Sequence, residues 1–211
     1  MKITILVDDG ESWFISYADD LKKELQLLGH DCILVNKHDD VRNGDICYML
    51  SCVRIAKEEL LKLNKHNIVV HASDLPFGKG FSPMKWQILE GKKKIVLTLF
   101  EAVAEVDSGG YYFKDYISYE GYELLDDLLD VMAKKINEMC INYANNIDNY
   151  TLIKLEGEGS WYPRFRDVDD KLDEKKSICE QFNHFRIADN DRHPLWFEID
   201  GHKYYLKIYK E

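Results

Sequence analysis

Two hydrophobic rhythms alternate along the chain. Short apolar runs, Ile3-Thr4-Ile5-Leu6-Val7, Cys32-Ile33-Leu34-Val35, Ile46-Cys47-Tyr48-Met49-Leu50, Ile68-Val69-Val70 and Ile95-Val96-Leu97-Thr98-Leu99-Phe100, are bounded by polar or Gly-bearing sequence, as strands buried on both faces are. Between them lie segments with helical spacing. Residues 13–28 close on Gly29 as a C′ residue, and residues 57–65 carry Leu60, Leu61 and Leu63. Residues 84–90 follow Ser82-Pro83, a suitable N-cap and first-turn pair. Residues 122–142 set Leu124, Leu125, Leu128, Leu129, Met132, Ile136 and Met139 on one helical face. The alternation predicts an α/β fold, Rossmann-like, with a mostly parallel sheet covered on both faces by right-handed crossovers. Tyr111-Tyr112-Phe113-Lys114 continues as a strand, expected antiparallel to its neighbour. Ligand should sit over the carboxyl ends of the strands.

The rhythm changes after Asn145-Asn146. Residues 151–155 read as a short strand, Gly157-Glu158-Gly159 as a loop, and residues 177–186 as a helix or broken helix. Leu195-Trp196-Phe197-Glu198-Ile199 and Tyr204-Tyr205-Leu206-Lys207-Ile208 flank Asp200-Gly201, a strong hairpin signal. The expected organisation is a main domain over residues 1–148 and a small α+β appendage over 149–211, ending in a C-terminal β-hairpin.

Composition narrows the class. With 211 residues and 45% hydrophobic content the chain can bury one substantial core. No apolar stretch approaches the roughly 20 residues that span a bilayer, and residues 1–7 are too short and strand-like for a signal peptide, so a cytoplasmic protein without membrane partner is expected. Five scattered cysteines show no metal-type spacing, so reduced structural thiols and no metal are expected. A net charge of -10 argues against a nucleic-acid partner, which draws on clustered Lys and Arg. The turn after the first run, Asp8-Asp9-Gly10-Glu11-Ser12, has neither G-x-G-x-x-G nor a P-loop sequence, which removes dinucleotide and P-loop readings.

Candidate chemistry gathers in residues 67–110. The run Ile68-Val69-Val70 delivers His71 to the point where Ala72-Ser73-Asp74-Leu75-Pro76-Phe77-Gly78-Lys79-Gly80 begins, and Asp107 stands at a turn 36 residues later. A histidine suits proton transfer because its ordinary pKa, about 6.5, lies near working pH. Asp107 can orient it.

The run from His71 through Asp107-Ser108-Gly109 resembles the formyltransferase family that uses N10-formyltetrahydrofolate. That family's pattern is Asn-x-His-x-Ser-Leu-Leu-Pro, a short basic Gly-containing loop, Pro and a helix, then Asp-x-Gly. His71, Ser73, Leu75-Pro76, Gly80, Pro83, Trp86, Asp107 and Gly109 fall on it, across residues 67–113. The resemblance implies a formyltransferase fold and His71 and Asp107 as catalytic residues. It implies a folate site in the loop Ser51-Cys52-Val53-Arg54-Ile55, with Asp107 also beside the cofactor, and an acceptor site near Ser73, Asp74 and Lys79. Asp74 stands where the family commonly has Leu, and could meet a substrate ammonium, hold the loop or face water. Trp161, Tyr162 and Arg164 could stack on a base and pair with phosphates, or pack a small β subdomain.

One position departs from the pattern. The family's Asn lies two residues before the His, where this chain has Val69; Asn67 lies four before. At about 3.3 Å per residue Asn67 would be roughly 13 Å from His71 along a strand, and replaces the missing amide only if the backbone bends. Losing one oxyanion donor costs about 2.7–4 kcal/mol of transition-state stabilisation.

The resemblance implies an enzyme moving a formyl group from N10-formyltetrahydrofolate to a small amine, foremost a nucleotide-linked amino sugar for surface polysaccharide. The alternatives are a weak or inactive folate or sugar-nucleotide binding module, motivated by Val69, and a formyl-folate hydrolase. A small-molecule partner is expected, and a homodimer is among the assemblies allowed.

Overall fold

The computed structural model describes residues 1–211 and resolves the expected strands into one six-stranded sheet. Its strands are β1 Lys2–Leu6, β2 Asp31–Val35, β3 Gly44–Met49, β4 Asn64–His71, β6 Lys94–Glu101 and β7 Tyr111–Ser118, in the order β2-β1-β3-β4-β6-β7. The four strands from β2 to β4 are joined by parallel pairings, and β6 and β7 are added antiparallel. The connection from His71 to Lys94 carries the two-residue strand β5 (Lys79–Gly80) and a short helix, α3 Pro83–Leu89, and re-enters the sheet from the end it left, pairing His71 with Thr98.

The sheet is covered unequally. Alternate residues Ile3, Ile5 and Val7 of the first strand region join Ile46, Tyr48, Leu50 and Ile68 in a core of 30 buried residues. That core is capped by α1 Ile15–Leu27, through Ala18, Leu21 and Leu25, and by α4 Leu125–Asn145. The residues between them, Leu6, Cys47 and Met49, face a cluster of only five with Val41 and Leu60. The expected helix over 57–65 is confined to α2 Glu58–Leu61, because the chain from Asn64 onward is taken into β4. The second face is therefore covered by one helical turn and by loops. Val69 packs there, and pleat alternation turns Asn67 and His71 the same way.

Beyond α4 the expectation changes in detail. Residues 151–155 contribute one bridge, Ile153 to Tyr111, in place of a strand. The helix over 177–186 is broken into a 3₁₀ turn, Cys179–Gln181, and α5 Phe182–Arg186. The hairpin forms as β9 Leu195–Ile199 and β10 His202–Leu206 around Asp200-Gly201. Leu172, Phe185, Ala188 and Leu195 make a small separate core. It is tied to the approach to α4 by a buried ion pair, Arg186 Nη2 to Glu123 Oε2 at 2.9 Å, with Arg186 Nε also donating to the Glu123 carbonyl.

Asp170 pays the opposite electrostatic toll. It is 1% exposed, neither carboxylate oxygen has a hydrogen-bond partner, and burial pushes its pKa up to about 6 despite the nearby Lys85. Because the folded state holds this proton more tightly than the unfolded chain, the stabilisation is present below pH 4 and is lost as pH rises through about 6. Asp170→Asn should therefore stabilise the fold by about 1–3 kcal/mol at pH 7 and by almost nothing at pH 4, read from paired denaturation curves at the two pH values.

Candidate active site

His71 ends β4, where the thinly covered face meets the loops. It is 9% exposed. Its Nε2 faces two oxygens, the Gly78 carbonyl at 2.8 Å and Asp107 Oδ2 at 3.7 Å. The Gly78 carbonyl, which can only accept, places the hydrogen on Nε2, and the Asp107 charge beyond it favours the same arrangement, which leaves Nδ1 as the lone-pair nitrogen. Nδ1 has no partner in the protein and keeps contact with solvent. An imidazole held this way can accept a proton at Nδ1 while Gly78 and Asp107 stabilise the resulting cation.

Asp107 arrives from the far end of β6. The Ala102 N–H donates to the Asn67 carbonyl, so loop 102–110 leaves the sheet beside Asn67 and folds back toward His71. The Gly110 carbonyl accepts from Glu101 N–H, closing the loop so tightly that a Cβ on Gly109 would collide with the Glu101 carbonyl. At the loop tip Asp107, with φ of +49°, accepts the Gly80 N–H at 2.8 Å. One carboxylate oxygen thus ties two loops together and faces the imidazole.

The loop after His71 is braced from the C-terminal side. β8, Trp161–Tyr162, pairs in parallel with β5, and Gly78 N–H donates to Ser160 Oγ at 2.9 Å. Gly80 has φ of +97°, and a side chain there would strike the Tyr162 carbonyl. Between the loops opens a cleft of about 670 Å³ lined by Lys79, Glu105, Val106, Ser108, Glu158, Gly159, Ser160 and Trp161. Lys79 Nζ donates to Ser108 Oγ at 2.8 Å and forms no ion pair.

Loop 51–55 has its own anchor. The Asp8 carboxylate, buried at the end of the first apolar run, accepts Val53 N–H at 2.8 Å, Arg54 N–H at 2.9 Å and His38 Nε2 at 3.1 Å. Ser51 takes a φ of +53°, and its Oγ meets Ser12 Oγ at 3.1 Å. Val53 and Ile55 are exposed. Cys52 donates to the Leu6 carbonyl, and burial pushes its thiol up to about 12, so it stays protonated and unreactive.

Several expected site residues are occupied elsewhere. Asn67 Nδ2 donates to the Leu61 carbonyl at 2.8 Å, so the backbone does not bend to bring this amide to His71. Asp74 pairs through Oδ1 with Lys114 at 2.5 Å, and Lys114 also donates to the Leu75 carbonyl, so this carboxylate helps to hold the loop. The Tyr162 ring stacks on Trp86 and its hydroxyl binds Glu90, while Arg164 lies over Phe81 at 4.4 Å. Both are packing contacts, and of the aromatic and basic stretch Trp161 lines the cleft, half exposed. Ser73 Oγ is buried near His71 without a partner. The sequence reading missed Asp8, Glu105, Ser108, Glu158 and Ser160. For Asp8 a signal existed, since it is an acidic residue at the carboxyl end of a strand; the others depend on loop paths.

No family model matches the chain. Methionyl-tRNA formyltransferase from Mycoplasma capricolum is 27% identical over 155 residues, which are 71% of this chain and 49% of that protein. The chain spans about half the length of the curated relatives it matches. Among solved structures, methionyl-tRNA formyltransferase from Clostridium thermocellum superposes with a TM-score of 0.81 at 20% identity, covering 96% of this chain and 90% of that one. HypX from Aquifex aeolicus in complex with tetrahydrofolic acid gives 0.81 at 18% identity over 99% of this chain and 37% of that one. A sugar N-formyltransferase from Shewanella sp FDAARGOS_354 gives 0.69 at 16% identity over 100% and 98%. The sequence relatives are methionyl-tRNA formyltransferases, and the chain shares its fold with methionyl-tRNA and sugar formyltransferases and with HypX.

Proposed function

We propose that the protein is an N-formyltransferase that carries a formyl group from N10-formyltetrahydrofolate to the amino group of a small acceptor, a nucleotide-linked amino sugar. The observation that carries the reading is the pairing of His71 and Asp107 across a 3.7 Å gap, with Val106 and Ser108 on either side of Asp107 lining an open cleft. The folate supplies the formyl carbon. As the acceptor nitrogen bonds to that carbon and the N10–carbon bond breaks, the proton lost by the amine passes through His71 Nδ1 toward the departing folate nitrogen. Asp107 holds charge opposite the imidazole while it is protonated.

Loop 51–55 fits the flat, hydrogen-bonding head of a folate. The N–H groups of Val53 and Arg54 are spent inward on Asp8, whereas the carbonyls of Val53, Arg54 and Ile55 and the Ile55 N–H have no partner within the chain. The apolar side chains of Val53 and Ile55 stand exposed beside them.

The acceptor class is supported by the cleft. Lys79 has no carboxylate partner and can meet a phosphate, Trp161 offers a ring face, and Glu105 and Glu158 can receive an ammonium. A net charge of -10 favours a small substrate over tRNA. Five free cysteines accord with work in the reducing cytoplasm.

Val69 and the engagement of Asn67 with Leu61 favour a second reading, a folate-binding module with slow or no transfer. Incubating purified protein with N10-formyltetrahydrofolate and a panel of nucleotide-linked amino sugars decides between them by mass spectrometry of the products. Formylated sugar is expected, and folate binding without any product would leave the second reading. His71→Ala should lower kcat by about 10²–10⁴-fold while folate still binds by calorimetry. Lys79→Met should raise the acceptor KM about tenfold or more and leave the folate KM unchanged, the scale of one charge-assisted contact. Equal KM values for the two proteins would remove the phosphate from the acceptor assignment.

A further inference from the structure

We infer that Asp8 is a positioning residue for the donor substrate, holding loop 51–55 in the shape that receives the pterin ring. The inference rests on the formyltransferase reading above and assigns a role to a residue that the His71–Asp107 chemistry does not use. A loop that binds a heterocycle through its own backbone must keep the right groups turned outward, and a free chain of five residues has no means of doing so. Here two hydrogen bonds to one carboxylate impose the shape, and a third holds that carboxylate in place.

Asp8 Oδ1 takes the Val53 N–H, and Oδ2 takes both the Arg54 N–H and His38 Nε2. Its side chain is 1% exposed, so these bonds are made away from water, where each charged hydrogen bond counts most. The two amides turned inward fix the peptide planes on either side of Val53. The carbonyls of Val53, Arg54 and Ile55 are left unpaired on the outside.

His38 completes the arrangement from the turn His38–Asp40 that follows β2, and its Nε2 must carry hydrogen to serve the carboxylate. Asp8 forms no hydrogen bond or ion pair with His71 and does not line the cleft. Its removal should therefore alter donor binding without altering proton transfer.

Asp8→Asn tests this with little change of shape. An amide presents one oxygen and one NH₂, so at least one of the three donors would face another donor. The expected result is a rise of about tenfold or more in the tetrahydrofolate dissociation constant and the N10-formyltetrahydrofolate KM. The kcat at saturating donor and the acceptor KM should stay within about threefold of the parent. In the free protein, the Val53 and Arg54 amides should lose protection in hydrogen exchange.

His38→Ala, which removes one donor and leaves the carboxylate in place, gives the same pattern at smaller size and covers the case in which Asp8→Asn fails to fold. Unchanged folate affinity in a folded Asp8→Asn protein overturns the inference, as does an equal loss in kcat and both KM values. Failure of the parent protein to bind folate would remove the formyltransferase reading and this inference together, whereas parent binding with an unaffected variant removes the inference alone.

Discussion

The hydrogen bond from Gly80 N–H to Asp107 Oδ2 is the constraint on which the site depends. His71 is fixed by the sheet, but the two segments that give its imidazole an electrostatic environment are loops, and loops have no register of their own. Asp107 comes from a strand end adjacent to Asn67, and Gly78 from a turn after His71. A single carboxylate oxygen joins them. Because that oxygen also lies 3.7 Å from Nε2, the interaction that sets the loops also sets a negative charge beside the imidazole, whose Nε2–H is directed by the Gly78 carbonyl at 2.8 Å. Structure and proposed chemistry share one atom.

The uneven covering of the sheet explains why the site lies where it does. Thirty buried residues and two long helices seal one face, so a ligand there would have to displace a packed core. The other face has a five-residue cluster and one turn of helix. Room remains for loops 51–55, 72–82 and 102–110 to lie over the strand ends, and for His71 to keep one ring nitrogen in contact with solvent. The C-terminal segment then braces the middle loop through β5 and β8, using backbone hydrogen bonds that need no large interface.

The sheet was legible from apolar runs because a strand buried on both faces has few other ways to be written, and α1 and α4 were legible from their spacing. The helix over 57–65 was overread, since Leu63 and the residues after it satisfy a helical face and a strand equally well, and pairing of Gly44 with Asn64 decided for the strand. The antiparallel entry of β6 left no trace in local pattern, because direction is set by where a connection returns. Of the site, His71 and Asp107 were legible as residue types at turning points. Tyr162 and Arg164 could not be placed from the sequence, because an aromatic and basic stretch looks the same whether its rings meet a ligand or Trp86 and Phe81, the neighbours they have here. Val69 is visible in the sequence as a departure, whereas the Leu61 carbonyl that takes up the amide of Asn67 is brought there by the end of α2, which no local pattern announces.

Backbone strain follows the same map. Four non-glycine residues take positive φ, and three of them lie in the loops around the site: Ser51 begins one, Ser82 ends another and Asp107 stands at the tip of the third. Each such conformation costs on the order of 1–3 kcal/mol and persists only where neighbours overdetermine it. Ser51 precedes the two amides held by Asp8, Ser82 precedes Pro83 and follows the Phe81–Tyr162 backbone bond, and Asp107 is held through Gly80. The strain therefore sits in the loops themselves and at their ends, and the hydrogen bonds that offset it are the ones that aim the loops. A loop free to relax Ser51 or Asp107 into an ordinary conformation would gain local stability and lose the Asp8 bonds that set its backbone edge, or the Gly80 bond that keeps a carboxylate beside His71.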